Sequence, residues 1–232
     1  MRRPFGQIFF DCDSTLTRIE GIDELARRAG VADQLIPLTT AAMNGELALE
    51  DVYMRRLQVI QPKRSDLQWL AQRYQDELVD DAIEVVARLH QLGKTVHIIS
   101  GGLRLPIIEL GKKLGIQAEN IHAVDIEFDD TGHYIGFNPE SVLACHGGKA
   151  RVCSTLIKQG ERNVLIGDGV TDLEVLDIGI SVIGFGGVAR REEVVKRATA
   201  YTNGPGLAEV LDIILTPEEL EKTCQTVRTE TS

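Results

Sequence analysis

Apolar residues recur along the chain at two spacings, and the switches between them outline its elements. Gln7–Phe10 (QIFF) is a short, aromatic-rich run, the pattern of a strand buried on both faces. Helical spacing begins near Ile22 and runs through IDELARRAG to a stop at Gly30. From 31 to 76 the apolar positions keep helical spacing, broken at Asn44-Gly45 and around Pro62, and no strand pattern interrupts them. DDAIEVVARLHQLG then predicts a helix ending at Gly93, and KTVHIIS a buried strand ending at Ser100. LRLPIIELGKKLG predicts a helix that accommodates Pro106 only in its first turn. HAVDIEFDDTGHYIGF predicts a hairpin turning near Asp130-Thr131-Gly132. After it come a helix (GGKARVCSTLIKQG), a strand (NVLIGDG), a short helix (VTDLEVLDIG) and a strand (ISVIGFG). A helix (VARREEVVKRA), a strand (AYT) and a C-terminal helix follow, and the last residues, TVRTETS, are expected to fray.

This alternation predicts an α/β fold with a doubly wound, Rossmann-like parallel sheet and a helical bundle inserted after the first strand. The expected division is a core of residues 1–16 and 78–232 and a helical unit of residues 17–77. Ligands of such sheets sit at the carboxyl ends of the strands, so Asp11, Ser100 and Asp168 are expected to line one crevice.

Composition narrows the function classes. A chain of 232 residues, 43% apolar and 26% charged, can bury a sizeable core. A formal net charge of −10 without a dense Lys/Arg block argues against nucleic acid or an anionic membrane as partner. No run reaches the ~18–20 apolar residues of a membrane span, and MRRPFGQIFF has no separate apolar leader region. Cys12, Cys145, Cys153 and Cys224 are scattered without a CxxC pair, which points to reduced thiols in a cytoplasmic protein and away from zinc. The expectation is a cytoplasmic monomer or homodimer.

The chemistry starts at the first strand end, FFDCDSTL. Side chains alternate along a strand, so Asp11 and Asp13 point the same way, and two like charges there need a cation between them or a proton on one. Further on, VHIISGG and VLIGDGVTD also end strands in polar groups, and HGGKA opens a helix with Lys149. Asp11, Asp13, Asp168 and Asp172 outnumber that cation, and an oxygen-only donor set points to Mg²⁺. Phosphoryl transfer fits these parts. Gly101 and Gly102 let the backbone approach an anion, an ionised carboxylate can attack phosphorus, and a second carboxyl can shuttle a proton.

DCDSTL, SGG, GGKA and GDGVTDLE, in that order at strand ends, resemble the four motifs of the haloacid dehalogenase superfamily of phosphatases. The resemblance extends through EGIDELA, AMNGELALEDVYMRRL and GFGGVARREEV. It implies Asp11 as nucleophile and Asp13 as general acid/base. Asp11, the Asp13 main-chain carbonyl and Asp168 would hold Mg²⁺, with Asp172 in an outer shell pairing Lys149. Ser100 and Lys149 would hold the transferring phosphoryl group, with Gly101, Gly102 and Thr171 beside it. The helical insertion would be a mobile cap in which Glu20 meets a substrate ammonium, Arg56 its carboxylate, and Met43 packs close by. A small phosphorylated metabolite is the implied partner, O-phosphoserine first. The family usually carries Phe where this chain has Leu49 and Leu103, which opens the pocket's shape to other small phosphate esters or to an acceptor other than water.

Blander readings stand beside these. Asp168 and Asp172 flank a turn and could cap the next helix; Ser100 could belong to an ordinary turn; Glu20 and Arg56 could be solvated helix residues. Trp69 reads as a helix–helix anchor. An aspartate-phosphorylated signalling receiver shares the Asp and Lys, but it needs neither an acid two residues past the nucleophile nor a helical insertion.

Overall fold

The computed structural model describes residues 3–138 and 140–222; Cys224 and the TVRTETS tail lie outside the described residues. Strand β1, Phe5–Phe10, is followed by helices α1 (Gly21–Arg28), α2 (Ala32–Met43), α3 (Leu49–Ile60) and α4 (Arg64–Asp76). Then come α5 (Ala82–Gln91), β2 (Thr95–Leu103), α6 (Arg104–Leu114), β3 (Ile121–Val124), β4 (Ile126–Phe128) and β5 (Tyr134–Phe137). Helix α7 (Gly148–Leu156) leads to β6 (Arg162–Gly167) and β7 (Ser181–Phe185), joined by the 3₁₀ segment Val170–Ile178. Helix α8 (Glu192–Arg197), β8 (Ala200–Thr202) and α9 (Ala208–Ile214) follow, and residues 217–222 are again helical.

Six strands form a parallel sheet in the order β3-β2-β1-β6-β7-β8. The chain winds outward from β1 to β3, then returns beside β1 and winds the other way. The order therefore reverses between β1 and β6, the place where such sheets open a crevice at their carboxyl ends. Phe10 pairs with both Ile98 and Ile166, so the residues that follow these three strands emerge side by side. Ile8, Phe9, Phe10, Ile98, Ile99, Leu165 and Ile166 are fully buried and make the sheet the rigid floor of that crevice. Gln7 is also buried, and it is satisfied: its amide donates to the Leu156 carbonyl at 2.6 Å while its Oε1 meets His97 Nε2 at 2.9 Å.

The helices of the insertion leave and re-enter the core at one place. Thr17 and Leu78 form an antiparallel bridge, flanked by Arg18 N–H donating to the Glu77 carbonyl at 2.8 Å and Val79 N–H to the Leu16 carbonyl at 3.0 Å. Breaks fall where expected, between Met43 and Leu49 and between Ile60 and Arg64. Pro106 is the third residue of α6, inside its first turn. Trp69 is partly buried, with the Arg28 guanidinium of α1 4.5 Å above its ring.

Three expectations are corrected. Strand β2 continues through Gly101 and Gly102 to Leu103, which pairs with Val124 after a register shift; extended glycines can carry a strand past its polar end. His122–Val124 belongs to edge strand β3 of the main sheet, with Val124 fully buried, and the hairpin is β4–β5 alone. Helix α8 starts only at Glu192, because Arg191 is extended (φ −119°, ψ 121°) and its side chain turns into the crevice.

Phe9 is fully buried and stacks on His97 with ring centroids 5.0 Å apart. Phe9→Ala is expected to destabilise the protein by about 3–5 kcal/mol, read from the midpoint of urea unfolding; a loss under about 1 kcal/mol would show that the sheet core repacks freely.

Candidate active site

The turn after β1 is built on one carbonyl. The Thr15, Leu16 and Thr17 N–H groups all donate to the Cys12 carbonyl, at 3.3, 2.9 and 3.1 Å. Ser14 is driven to a left-handed φ of 53°, a strained conformation outside glycine. This turn holds Asp11 and Asp13 over the sheet end, and the Ser14 hydroxyl donates to Glu20 Oε1 at 2.7 Å.

Around Asp11 the charges interlock. Lys149, the second residue of α7, is buried with its Nζ 2.7 Å from Asp11 Oδ2 and 2.6 Å from Asp172 Oδ1. Burial alone would lower the pKa of this amine, but the two carboxylates outweigh burial and hold it up. Asp172 Oδ2 accepts the Gly169 N–H at 2.9 Å, so both its oxygens are engaged. Gly167 makes room for it: a Cβ there would lie 2.2 Å from Asp172 Cγ. Asp168 accepts from Thr15 Oγ1 at 3.2 Å and from Arg191 Nε at 3.0 Å.

Asp13 stands in a different environment. Its Oδ1 accepts both the Gly21 N–H and the Tyr74 hydroxyl at 2.7 Å. Burial, then the neighbouring Glu20 charge, pushes its pKa well above the ordinary carboxyl value, which favours its protonated form. On β2, Ser100 Oγ accepts the Gly102 N–H at 3.0 Å. A side chain on Gly102 would collide here, since its Cβ would sit 2.9 Å from Asp13 Oδ2 and 3.2 Å from Ser100 Oγ.

The insertion closes the cavity from above. Glu20, Met43, Arg56, Leu49, Tyr53 and Tyr74 line it together with Asp11, Asp13, Ser100, Gly101, Gly102, Leu103, Lys149, Asp168 and Thr171. Every residue singled out from the sequence is thus on one cavity except Asp172, which is fully buried behind Lys149. Leu49 and Leu103 also face it. Arg56 is buried; its guanidinium donates to Thr39 Oγ1 at 3.2 Å and lies 5.4 Å above the Tyr53 ring, while its Nε has no partner. A buried guanidinium with an unanswered donor is prepared for an anion. Glu20 already holds Ser14 and approaches Arg191 at 3.6 Å.

The acidic end fits a hard cation. Asp11, Asp168 and Asp172 are buried and offer oxygens within 4.8 Å of one another. With Asp13 and Glu20 nearby, five carboxyl groups face the cations Lys149 and Arg191. Burial, then Glu20, raises Asp168 well above its ordinary value despite Arg191, so ionising it calls for more positive charge. Oxygen-only donors select a hard divalent ion. All three carboxylates already have partners on both oxygens: Asp11 has Cys12 N–H and Lys149, Asp168 has Thr15 and Arg191, and Asp172 has Gly169 N–H and Lys149, so an ion would exchange with some of these contacts.

Four contributors were not singled out in the sequence: Tyr74 on Asp13, Tyr53 donating to the Gly101 carbonyl at 2.9 Å, Thr39 on Arg56, and Arg191 on Asp168. The two tyrosines and Thr39 sit at helical positions that read as packing. Arg191 lies within GFGGVARREEV, but nothing in its spacing marks it as inward-facing.

A family model for haloacid dehalogenase-like hydrolases matches residues 8–177. The chain is 37% identical over 196 residues to phosphoserine phosphatase of Homo sapiens, spanning 84% of this chain and 87% of the relative. A solved phospho-aspartyl intermediate analogue of phosphoserine phosphatase superposes with a TM-score of 0.80 at 25% identity, over 92% of this chain and 100% of that one. A phosphoserine phosphohydrolase-like protein from Francisella tularensis shares the fold at TM-score 0.82 and 24% identity, over 90% and 100% of the two chains.

The raised carboxyls give a pH-dependent stability. Asp13, Asp168 and Asp172 bind protons more tightly folded than unfolded, Asp172 being pushed up to about 7. Stability in a chelator is therefore lost as pH rises from about 4 through these raised values. A divalent cation at a hundredfold its Kd is expected to raise the melting temperature by about 5–10 °C at pH 8. The gain should be clearly smaller at pH 5.5, where protons compete. An equal shift at both pH values, read by thermal melts, would rule out ionised carboxylates as the binding groups.

Proposed function

The chain belongs to the haloacid dehalogenase-like hydrolases, and we propose that within that family it is a Mg²⁺-dependent phosphomonoesterase that converts O-phosphoserine and water to serine and phosphate. One observation carries this reading: two carboxyls two residues apart stand in different surroundings at the sheet end. Asp11 is ion-paired to Lys149 at 2.7 Å and lines the cavity, the place for a nucleophile, whereas Asp13 is buried with a raised pKa, which favours the acid. A signalling receiver has no use for the second group.

In the proposed reaction an Asp11 oxygen attacks phosphorus while the phosphorus–ester oxygen bond breaks. The Asp13 proton passes to the leaving seryl oxygen, giving serine and an aspartyl-phosphate. Asp13, now ionised, takes a proton from the water that attacks the aspartyl-phosphate. Phosphate leaves, Asp11 is freed as carboxylate, and Asp13 has its proton back. Lys149, Ser100 and the Gly101–Gly102 backbone hold the equatorial oxygens, and Thr171 borders them. Mg²⁺ held by Asp11, the Asp13 carbonyl and Asp168, with Asp172 behind, would neutralise charge on the phosphoryl group and the acidic cluster.

The insertion, residues 17–77, acts as a cap over the core of residues 1–16 and 78–232. Arg56 takes the substrate carboxylate, Glu20 its ammonium, and Met43 packs against the backbone of the amino acid. Cap closure keeps water away during attack on phosphorus. Serine as product would fit a step of serine biosynthesis, and the free thiols of Cys12, Cys145 and Cys153 would fit a cytoplasmic protein. Among the described residues no helix is long and apolar enough to cross a membrane.

O-phosphoserine is expected to give the highest kcat/KM in a panel with O-phosphothreonine, phosphocholine, sugar phosphates and p-nitrophenyl phosphate, and EDTA to abolish turnover. A different preferred ester would retain the core chemistry and overturn the roles of Glu20 and Arg56. Asp11→Asn should reduce phosphate release to below about a thousandth; full activity in that variant would remove the nucleophile. Arg56→Lys should raise KM for O-phosphoserine about tenfold or more, because a point charge cannot replace a bidentate fork. Its effect on p-nitrophenyl phosphate should be under about twofold.

A further inference from the structure

The contact between Tyr74 and Asp13 joins a helix of the insertion to the group that handles the proton. Tyr74 is fully buried near the end of α4, four residues before the crossing at Leu78. The next residue, Gln75, is tied to the core helix α6: its Nε2 donates to the Glu109 carbonyl at 3.4 Å, and Lys113 Nζ donates to its carbonyl at 3.2 Å. This turn of α4 is thus fixed to the core independently of the outer cap helices. Space for the phenol is provided across the insertion's first turn, where a Cβ on Gly21 would lie 2.0 Å from the Tyr74 hydroxyl oxygen.

The geometry around the carboxyl separates its two oxygens. Asp13 Oδ1 accepts two hydrogen bonds, from Gly21 N–H and from Tyr74 O–H, each at 2.7 Å. Both donors are on Oδ1, so Oδ2 is the oxygen left to meet a substrate. Oδ2 lies toward Gly102 and the Ser100 side chain, at the end of β2 that lines the cavity. We propose that Tyr74 is a positioning residue for the acid/base step: its hydroxyl holds Asp13 Oδ1 so that Oδ2 is turned to the leaving oxygen of the substrate. This rests on the phosphomonoesterase reading above.

The proton delivered from Oδ2 matters in proportion to how poor the leaving group is. A serine alkoxide must be protonated as it departs, whereas p-nitrophenolate and the acetate of acetyl phosphate leave without help. Removing only the hydroxyl should therefore weaken the reactions unequally. In Tyr74→Phe, the first-turnover rate of serine release from O-phosphoserine is expected to fall about tenfold with KM changed less than about twofold, while first-turnover release of p-nitrophenolate and of acetate stays within about twofold, the later attack of water being common to all three. Gly21→Ala pushes the hydroxyl off Asp13 by a different route and should change the same ratio in the same direction; it also serves if Tyr74→Phe does not fold. Equal losses on all three substrates, or no loss on any, would overturn the positioning role. If the wild-type protein releases phosphate from none of them with Mg²⁺ present, the proposed function itself fails. If the wild type is active and the ratio does not move, only the role of Tyr74 fails.

Discussion

The buried ammonium of Lys149 between Asp11 and Asp172 is the interaction on which the rest of the site depends. Removing one member of such a group would leave a charge in the interior, at a cost of about 3–5 kcal/mol. Its geometry is fixed from two sides, by the start of α7 and by the turn after β6, so it also locks those elements against the end of β1. A lysine in the first turn of a helix opposes the helix dipole; here the two carboxylates at 2.6 and 2.7 Å overcome it. Buried ion clusters of this kind are often no more stable than a hydrophobic filling of the same volume, and they concentrate at sites that do chemistry.

Much of this was legible because strands deliver residues to predictable places. Once β1, β2 and β6 are recognised as parallel neighbours, Asp11, Ser100 and Asp168 must emerge at one end of the sheet, and they do. The breaks between helices of the insertion were equally readable from Asn44-Gly45 and Pro62. Other features left no such trace. Tyr74 occupies a position whose spacing says only that it is inward-facing, and whether it meets a leucine or a carboxylate depends on how two distant turns fold together. Arg191 follows another arginine, and only the extended backbone before α8 decides that it turns in to Asp168. The continuation of β2 beyond Ser100 was hidden for a related reason: glycine permits both a turn and an extended strand, and pairing with β3 decides between them.

The insertion reaches into the catalytic end through specific polar contacts as well as apolar packing. Tyr53 of α3 donates to the Gly101 carbonyl, and Arg191 of the core donates to Asn44 Oδ1 at the end of α2, at 3.2 Å. From the other side the β4–β5 hairpin meets the insertion: Arg64 N–H donates to the Gly132 carbonyl at 2.9 Å, and Phe137 lies against Tyr53 with ring centroids 5.2 Å apart. Hydrogen bonds of this kind are each worth about 1 kcal/mol net, and together they fasten the insertion to the sheet end.

The bridge between Thr17 and Leu78 has a consequence for how such a protein can diversify. Because the two chain crossings are hydrogen-bonded neighbours, the sheet and its acidic cluster see the intervening segment as a short loop whose ends are already closed. The closure entropy of such a loop changes slowly with its length. The outer helices of the segment can therefore be lengthened, shortened or exchanged with little effect on the sheet end, provided that the turn at Gly21 and the end of α4, which hold Asp13, are kept. The molecule divides in this way into a replaceable cassette and a fixed socket that takes in the two ends of the segment.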